Sequence, residues 1–166
     1  MNMNTYVIYK SSRADRLECV TFAGDEIVLK AYMNRVPSAP AHIEAAGISL
    51  VSEFDVEQTL IPGVTKRTIM YDGYNDVFGE MLWNEDETYT LKFPDEIIRI
   101  IRMDKHTFTF FRNDVSAATL TSAKGLPVKK DSEYTYTPVF KVESDNSISQ
   151  RALYTALSFL VLYFGF

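Results

Sequence analysis

The chain has 166 residues, of which 46% are hydrophobic and 23% charged, and its formal net charge is −5. This composition is typical of a globular protein and excludes disordered and collagen-like chains. The negative charge argues against a protein that coats nucleic acid, and the length is that of one ordinary domain. We therefore predict a single domain over residues 1–166 with no nucleic-acid partner.

Strands are the main element that the sequence predicts, because short segments rich in β-branched and aromatic residues recur along the chain. Short turns that contain Asp, Asn, Gly or Pro separate them, which favours antiparallel pairing since parallel strands need long crossovers. The main irregular stretch is 34–47, where two prolines bracket a predicted short helix. The predicted strands, about eleven in all, are 5–10, 17–22, 26–33, 48–54, 64–71, 76–83, 88–93, 96–103, 106–111, 115–121 and 133–142.

A longer helix is predicted in the last part of the sequence, where no charged residue follows Arg151. Ser147 and Gln150 fit a capping box, so this helix should begin near Ile148. Residues 152–166 are uncharged on every side, and such a helix must be surrounded by lipid or by protein. Fifteen residues reach only about 23 Å, which is short for a hydrocarbon core of about 30 Å.

Three settings for this helix remain open from the residues alone: a membrane anchor, a groove on one side of a sheet, and the interior of a closed sheet. A groove would leave the aromatic rings of the other helix face in water. Enclosing a helix about 10–12 Å across takes about eleven or twelve strands, which agrees with the strand count. We therefore predict an all-β fold with one helix, a closed antiparallel β-barrel of about 11–12 strands around a buried C-terminal helix.

Two segments resemble a known superfamily in architecture. RTIMYDGYNDVFGEMLW (67–83) is similar to the strand, turn, strand units of the tubby C-terminal-like superfamily, and RALYTALSFLVLYFGF (151–166) is similar to its core helix. The resemblance implies a twelve-stranded barrel around a central helix. It also implies phosphoinositide binding through surface basic residues, as in tubby domains. Scramblase activity is not expected, because the chain lacks the cysteine-rich and proline-rich segments of the phospholipid scramblases.

No recognisable catalytic or metal-binding motif occurs in the sequence. One cysteine, Cys19, and two histidines, His42 and His106, allow neither an internal disulfide nor a zinc spacing. There is no nucleophile elbow and no glycine-rich phosphate loop. We predict a protein that is not an enzyme and has no catalytic residue, metal site or cofactor. The lone cysteine and an amino terminus without signal-peptide features indicate the cytoplasm.

The distribution of charge provides the one ligand hypothesis. Residues 53–96 carry three basic residues against eleven acids, whereas residues 97–130 carry seven basic residues against two acids. Such asymmetry can steer an anionic partner to one face. Within the predicted strand 96–103, Arg99 and Arg102 differ in parity, so a regular strand sends them to opposite faces. A bulge that re-aims one arginine, or a buried carboxylate that holds it, would accommodate this pattern.

The candidate binding residues are therefore Arg99, Arg102, Lys105, Lys129 and Lys130. They predict a non-enzymatic module that recognises anionic phospholipid headgroups or another phosphate ligand, in the cytoplasm or peripheral to the inner face of the membrane. The alternative is a protein-interaction or structural domain without a small ligand, with another protein as its partner. The arrangement of the five cations decides between them, because they must share an exposed face to bind one anionic surface.

Overall fold

The computed structural model describes residues 3–12, 15–35, 41–45, 48–57, 66–71, 77–83, 88–130 and 133–162. These residues form thirteen strands followed by one helix. The strands are β1 (Asn4–Ser12), β2 (Arg16–Ala23), β3 (Glu26–Asn34), β4 (Ala41–Ala45), β5 (Ile48–Glu57), β6 (Lys66–Tyr71), β7 (Val77–Trp83), β8 (Thr88–Phe93), β9 (Glu96–Asp104), β10 (Thr107–Arg112), β11 (Val115–Ser122), β12 (Lys129–Lys130) and β13 (Thr135–Ser144). The helix is α1 (Gln150–Leu162).

Neighbouring strands pair antiparallel throughout the sheet. Each strand from β1 to β10 is hydrogen-bonded to the next one, and β13 pairs with β11, with β12 and also with β1. The antiparallel arrangement of neighbouring strands is therefore confirmed. It follows from the short connections between the strands, which leave no room for the crossover that a parallel pair requires.

The predicted closed antiparallel β-barrel of about 11–12 strands is wrong. A simple closed barrel gives every strand two neighbours, whereas here β13 has three neighbours and β12 is paired with β13 alone among the described residues. The sheet order ends at β12, so the fold is a mostly antiparallel thirteen-stranded sheet with one C-terminal helix. Strand signals in a sequence are local, while the pairing of β13 with β1 joins residues more than a hundred positions apart.

The two strands that the sequence did not predict are β4 and β12. β4 lies inside 34–47, where a short helix was predicted, and its Ile43 pairs with Ala31 of β3. AHIEA contains the helix formers Ala and Glu, yet it forms a strand because β3 and β5 on either side offer its main chain hydrogen-bonding partners. β12 has only two residues, which is too short for any alternation of side chains to be recognised.

The core follows from the alternation of side chains along each strand. In β9, Glu96, Ile98 and Ile100 are buried, while Ile97 and Arg99 between them are exposed. The same period places one face of the sheet against α1. The largest fully buried side chains of the described core are Ile8, Leu29, Ile43, Met81, Leu91, Ile98, Ile100, Phe108 and Phe110.

Helix α1 begins two residues later than the predicted cap implies. Ser149 is the N-cap, because its hydroxyl oxygen accepts the main-chain N–H of Ala152 at 3.1 Å. Ser147, the predicted cap, instead donates both its main-chain N–H and its hydroxyl to the carboxylate of Asp145. The prediction of a cap at Ser147 is therefore wrong by two positions.

Burial of α1 is nearly complete over the described side chains that follow its first turn. Residues 152–158 and 160–162 are all buried, and the helix contacts β2, β3, β4 and β8. Strands from two separate parts of the sheet thus cover it, which explains why neither helix face is charged. Within the described part of the chain, no helix has both the length and the apolar character needed to cross a membrane.

Candidate functional site

The strand register sorts the turns of the sheet into two ends with opposite charge. Asp104 pairs with Thr107, Thr107 with Thr121, and Ser122 with Phe140, so the β9–β10 turn and the β11–β12–β13 loops share one end. We call residues 102–107, 122–130 and 133–136 the lysine end. They carry five cationic residues against two acids.

The opposite end of the strands is strongly acidic. It holds the β2–β3, β8–β9 and β10–β11 turns and the β13–α1 connection. We call residues 23–26, 93–96, 112–115 and 143–151 the acidic end. They carry seven acids against two arginines, so these turns differ in charge from those of the lysine end. Only two of the seven, Asp95 and Glu96, come from the acidic segment 53–96.

Arg102 and Lys105 lie together at the β9–β10 turn. The Arg102 guanidinium donates to the main-chain carbonyls of Asp104 at 3.3 Å and Lys105 at 3.2 Å, and it lies 5.7 Å from the centroid of the Phe108 ring. Arg102 therefore braces the turn. The side chain of Lys105 is exposed and makes no ion pair with a described residue.

Asp104 is an anion within the same turn. The main-chain N–H of His106 donates to its carboxylate at 2.8 Å, and this hydrogen bond lowers the pKa of Asp104 below its ordinary value. The carboxylate thus stays ionised at neutral pH and offsets part of the charge of Lys105. The hydrogen bond is that of an Asx turn, and His106 itself is exposed, as an ordinary turn residue would be.

Lys129 and Lys130 form β12 and pair with Tyr136 and Thr135 of β13. The ammonium group of Lys129 lies 4.0 Å from the centroid of the Phe22 ring, which is a cation–π contact. This contact holds Lys129 against the sheet. Lys130 is exposed and makes no ion pair within the described ranges.

Arg99 does not join the other four predicted cations. It is exposed on β9 nearer to the acidic end, and its guanidinium lies 3.6 Å from the carboxylate of Asp114 in the β10–β11 turn. Strand alternation places Arg99 and Arg102 on opposite faces of β9, as their parity predicts. A bulge is present beside Arg102, since the β9–β10 register shifts between Thr107 and Phe108.

Lys124 is a cation of the lysine end that was absent from the predicted set. It is exposed in the loop after β11, and its main-chain N–H donates to the Ser122 hydroxyl at 3.2 Å. The sequence signal was its place in the basic segment 97–130, but only the strand register shows that it lies at the same end as Lys105 and Lys130.

A separate cleft of about 310 Å³ lies on β2, β3 and β4. Its lining includes His42, whose ring stacks on Tyr32 with centroids 4.8 Å apart. The Arg16 guanidinium lies 5.0 Å from the centroid of the Tyr32 ring and 3.7 Å from the carboxylate of Glu18. No group of three or more His, Cys, Asp or Glu residues that could hold a metal ion occurs among the described residues.

Comparisons with known proteins bear on none of these features. The chain matches no protein-family model, no curated protein and no solved structure. The resemblance to the tubby C-terminal-like superfamily thus remains a prediction, as does the expectation that the protein is not an enzyme.

Proposed function

We propose that the protein is a binding module for an anionic, phosphate-bearing ligand, with phospholipid headgroups as the ligand class. The observation that supports it is the set of exposed ammonium groups of Lys105, Lys124 and Lys130 at one end of the sheet, opposite an end that carries seven acids. An anion approaching this molecule is attracted to the lysine end and repelled by the other. The module would act in the cytoplasm, peripheral to the inner face of the membrane.

The strength of such binding follows from the number of lysines that reach the surface. Each basic residue close to an anionic membrane contributes about 1 kcal/mol, so three or four give weak binding that salt screens. Arg99 contributes little, because Asp114 is its partner and it lies toward the acidic end. The overall charge of −5 opposes association at long range, which makes orientation of the lysine end essential.

Vesicle co-sedimentation tests the proposal, using phosphatidylserine or phosphoinositide vesicles at low and at physiological salt. Reversing two exposed lysines with Lys105→Glu and Lys130→Glu should weaken binding at low salt by at least about thirtyfold. A matched control reverses Lys30 and Lys92, which are exposed on β3 and β8 outside the lysine end. Binding that is absent at low salt, or that both double variants reduce equally, would contradict the proposal.

An interaction with another protein is the second candidate function. It is favoured by the exposed apolar side chains of Ile97 and Val115 at or beside the acidic end, which are 53% and 66% exposed. Exposed apolar residues next to charges are common in protein interfaces. If vesicles and soluble phosphates both fail to bind, this end is the surface on which to search for a partner.

A further inference from the structure

Three large apolar side chains are exposed at the lysine end. Met103 is 57% exposed, Leu126 41% and Val128 47%. Each is within two residues of a lysine, since Met103 precedes Lys105 and the other two lie between Lys124 and Lys129 in the chain. The lysine end therefore presents apolar and cationic groups side by side.

The loop that carries Leu126 is held by main-chain hydrogen bonds. The N–H of Ala123 donates to the carbonyl of Val139 at 3.0 Å, and the N–H of Leu126 donates to the carbonyl of Ala123 at 3.1 Å. Gly125 has a φ of +101°, a conformation that side chains disfavour, and it forms the bend of this turn. The exposure of Leu126 is thus a consequence of a defined turn.

The lysines are spread over the lysine end rather than grouped around one point. Two strand spacings, about 10 Å, separate β10 from β13, and Tyr136 beside Lys129 lies four residues, about 13 Å, beyond Phe140. The main chains at Lys105 and at the β12 lysines are therefore about 15 Å apart. An extended array of anions satisfies them better than one small anion does.

We infer that the lysine end docks on an anionic lipid bilayer and inserts Met103, Leu126 and Val128 among the headgroups. The inference rests on the proposed function, which it deepens by naming a bilayer as the ligand rather than a soluble phosphate. Charge complementarity selects this end for the bilayer. The acidic end also exposes the apolar side chain of Val115. Because its seven acids repel an anionic surface, we do not expect Val115 to contact the bilayer.

Tryptophan fluorescence tests the insertion directly. Leu126→Trp and Val115→Trp place a reporter at the lysine end and at the acidic end, and the parent chain, with Trp83 as its single tryptophan, supplies the background. Vesicles of phosphatidylserine whose chains are brominated quench tryptophan that reaches the headgroup boundary. We expect quenching above background for Leu126→Trp and none for Val115→Trp.

An affinity measurement complements the quenching. The double variant Leu126→Ser, Val128→Ser should bind phosphatidylserine vesicles about tenfold more weakly, because two partly exposed aliphatic side chains no longer leave water. Its titration with soluble inositol hexakisphosphate should equal that of the parent chain. Circular dichroism of each variant shows whether it is folded, and exposure of both positions makes folding insensitive to the change.

The outcomes separate this inference from the function on which it rests. Vesicle binding that depends on Lys105 and Lys130 but shows neither quenching at residue 126 nor loss in the serine variant overturns insertion and leaves the anion site standing. Binding of inositol hexakisphosphate without vesicle binding also overturns it. If neither probe binds, the proposed function fails as well.

Discussion

Glu96 ties the amino end of α1 to the β8–β9 turn, and its removal is the sharpest test of how the helix is held. The carboxylate is 5% exposed and accepts two hydrogen bonds from Ser149, from the main-chain N–H at 3.0 Å and from the hydroxyl at 2.6 Å. The same hydroxyl caps the helix through Ala152. Glu96→Ala leaves these donors without their acceptor and removes a negative charge from the positive end of the helix dipole.

The magnitude follows from these contacts. Hydrogen bonds to a charged group contribute about 1.5–3 kcal/mol each, so their joint loss should lower the free energy of unfolding by about 3–5 kcal/mol. The ion pair with Arg112 adds little, because its atoms are 3.5 Å apart and the arginine side chain is 37% exposed. The loss of unfolding free energy for Glu96→Gln should lie between zero and the loss for Glu96→Ala. The amide oxygen of Gln can still accept one hydrogen bond from Ser149, while its amide nitrogen faces a donor.

Urea unfolding followed by circular dichroism at pH 7 measures the effect. The neighbouring variant Asp95→Ala is the control, because Asp95 pairs with Arg151 at 2.6 Å on the same turn but is 75% exposed. Its change should be much smaller than that of Glu96→Ala. Equal losses of stability in the two variants would refute the view that the buried carboxylate, rather than the surface pair, holds the helix.

Two further predictions concern buried groups. The Thr155 hydroxyl is buried without a hydrogen-bond partner among the described residues, so Thr155→Val should leave the free energy of unfolding unchanged or raise it by up to about 1 kcal/mol. Ser158→Ala removes a 2.8 Å hydrogen bond from the serine hydroxyl to the Tyr154 carbonyl and should lower the free energy of unfolding by about 1 kcal/mol. The same sign for both in urea unfolding would contradict this account. Burial raises the pKa of the Cys19 thiol from 9.0 to about 12, so its contribution to stability is fully present below pH 9 and is lost as the pH rises toward 12, by about 1.4 kcal/mol per unit. Between pH 8 and 10.5, the urea midpoint should fall less steeply with pH for Cys19→Ala than for the parent chain. Burial likewise raises the pKa of Tyr154 to about 12, and this residue contributes equally in both chains. Parallel curves would show that the thiol does not titrate with unfolding.

Local patterns in the sequence predicted most strands and the helix. β8 was predicted with its observed bounds, because TYTLKF alternates buried and more exposed side chains between two turns. Eleven of the thirteen residues of α1 lie in the uncharged run after Arg151. What local patterns could not supply was the partner of each segment. AHIEA contains helix formers, and only β3 and β5 on either side make it the strand β4.

Contacts between distant residues account for the remaining differences. Ser149 caps α1 with the help of Glu96, 53 positions earlier, so the local capping pattern at Ser147 was misleading. The number of strands was nearly correct, but the three neighbours of β13 could not be inferred from a count. The grouping of Lys124 with Lys105 likewise required the register of β10 with β11.

The pairing of β1 with β13 has a consequence for synthesis. Asn4 faces Ser144 across this ladder, so one edge of β1 stays without its partner until about 140 residues have been made. At about 5–20 residues per second, that interval lasts roughly 7–28 s. During it, the edge of β1 offers unpaired N–H and C=O groups to any other nascent strand. A ribosome-associated chaperone that covers extended chain would therefore raise the yield of this protein most strongly before β13 emerges.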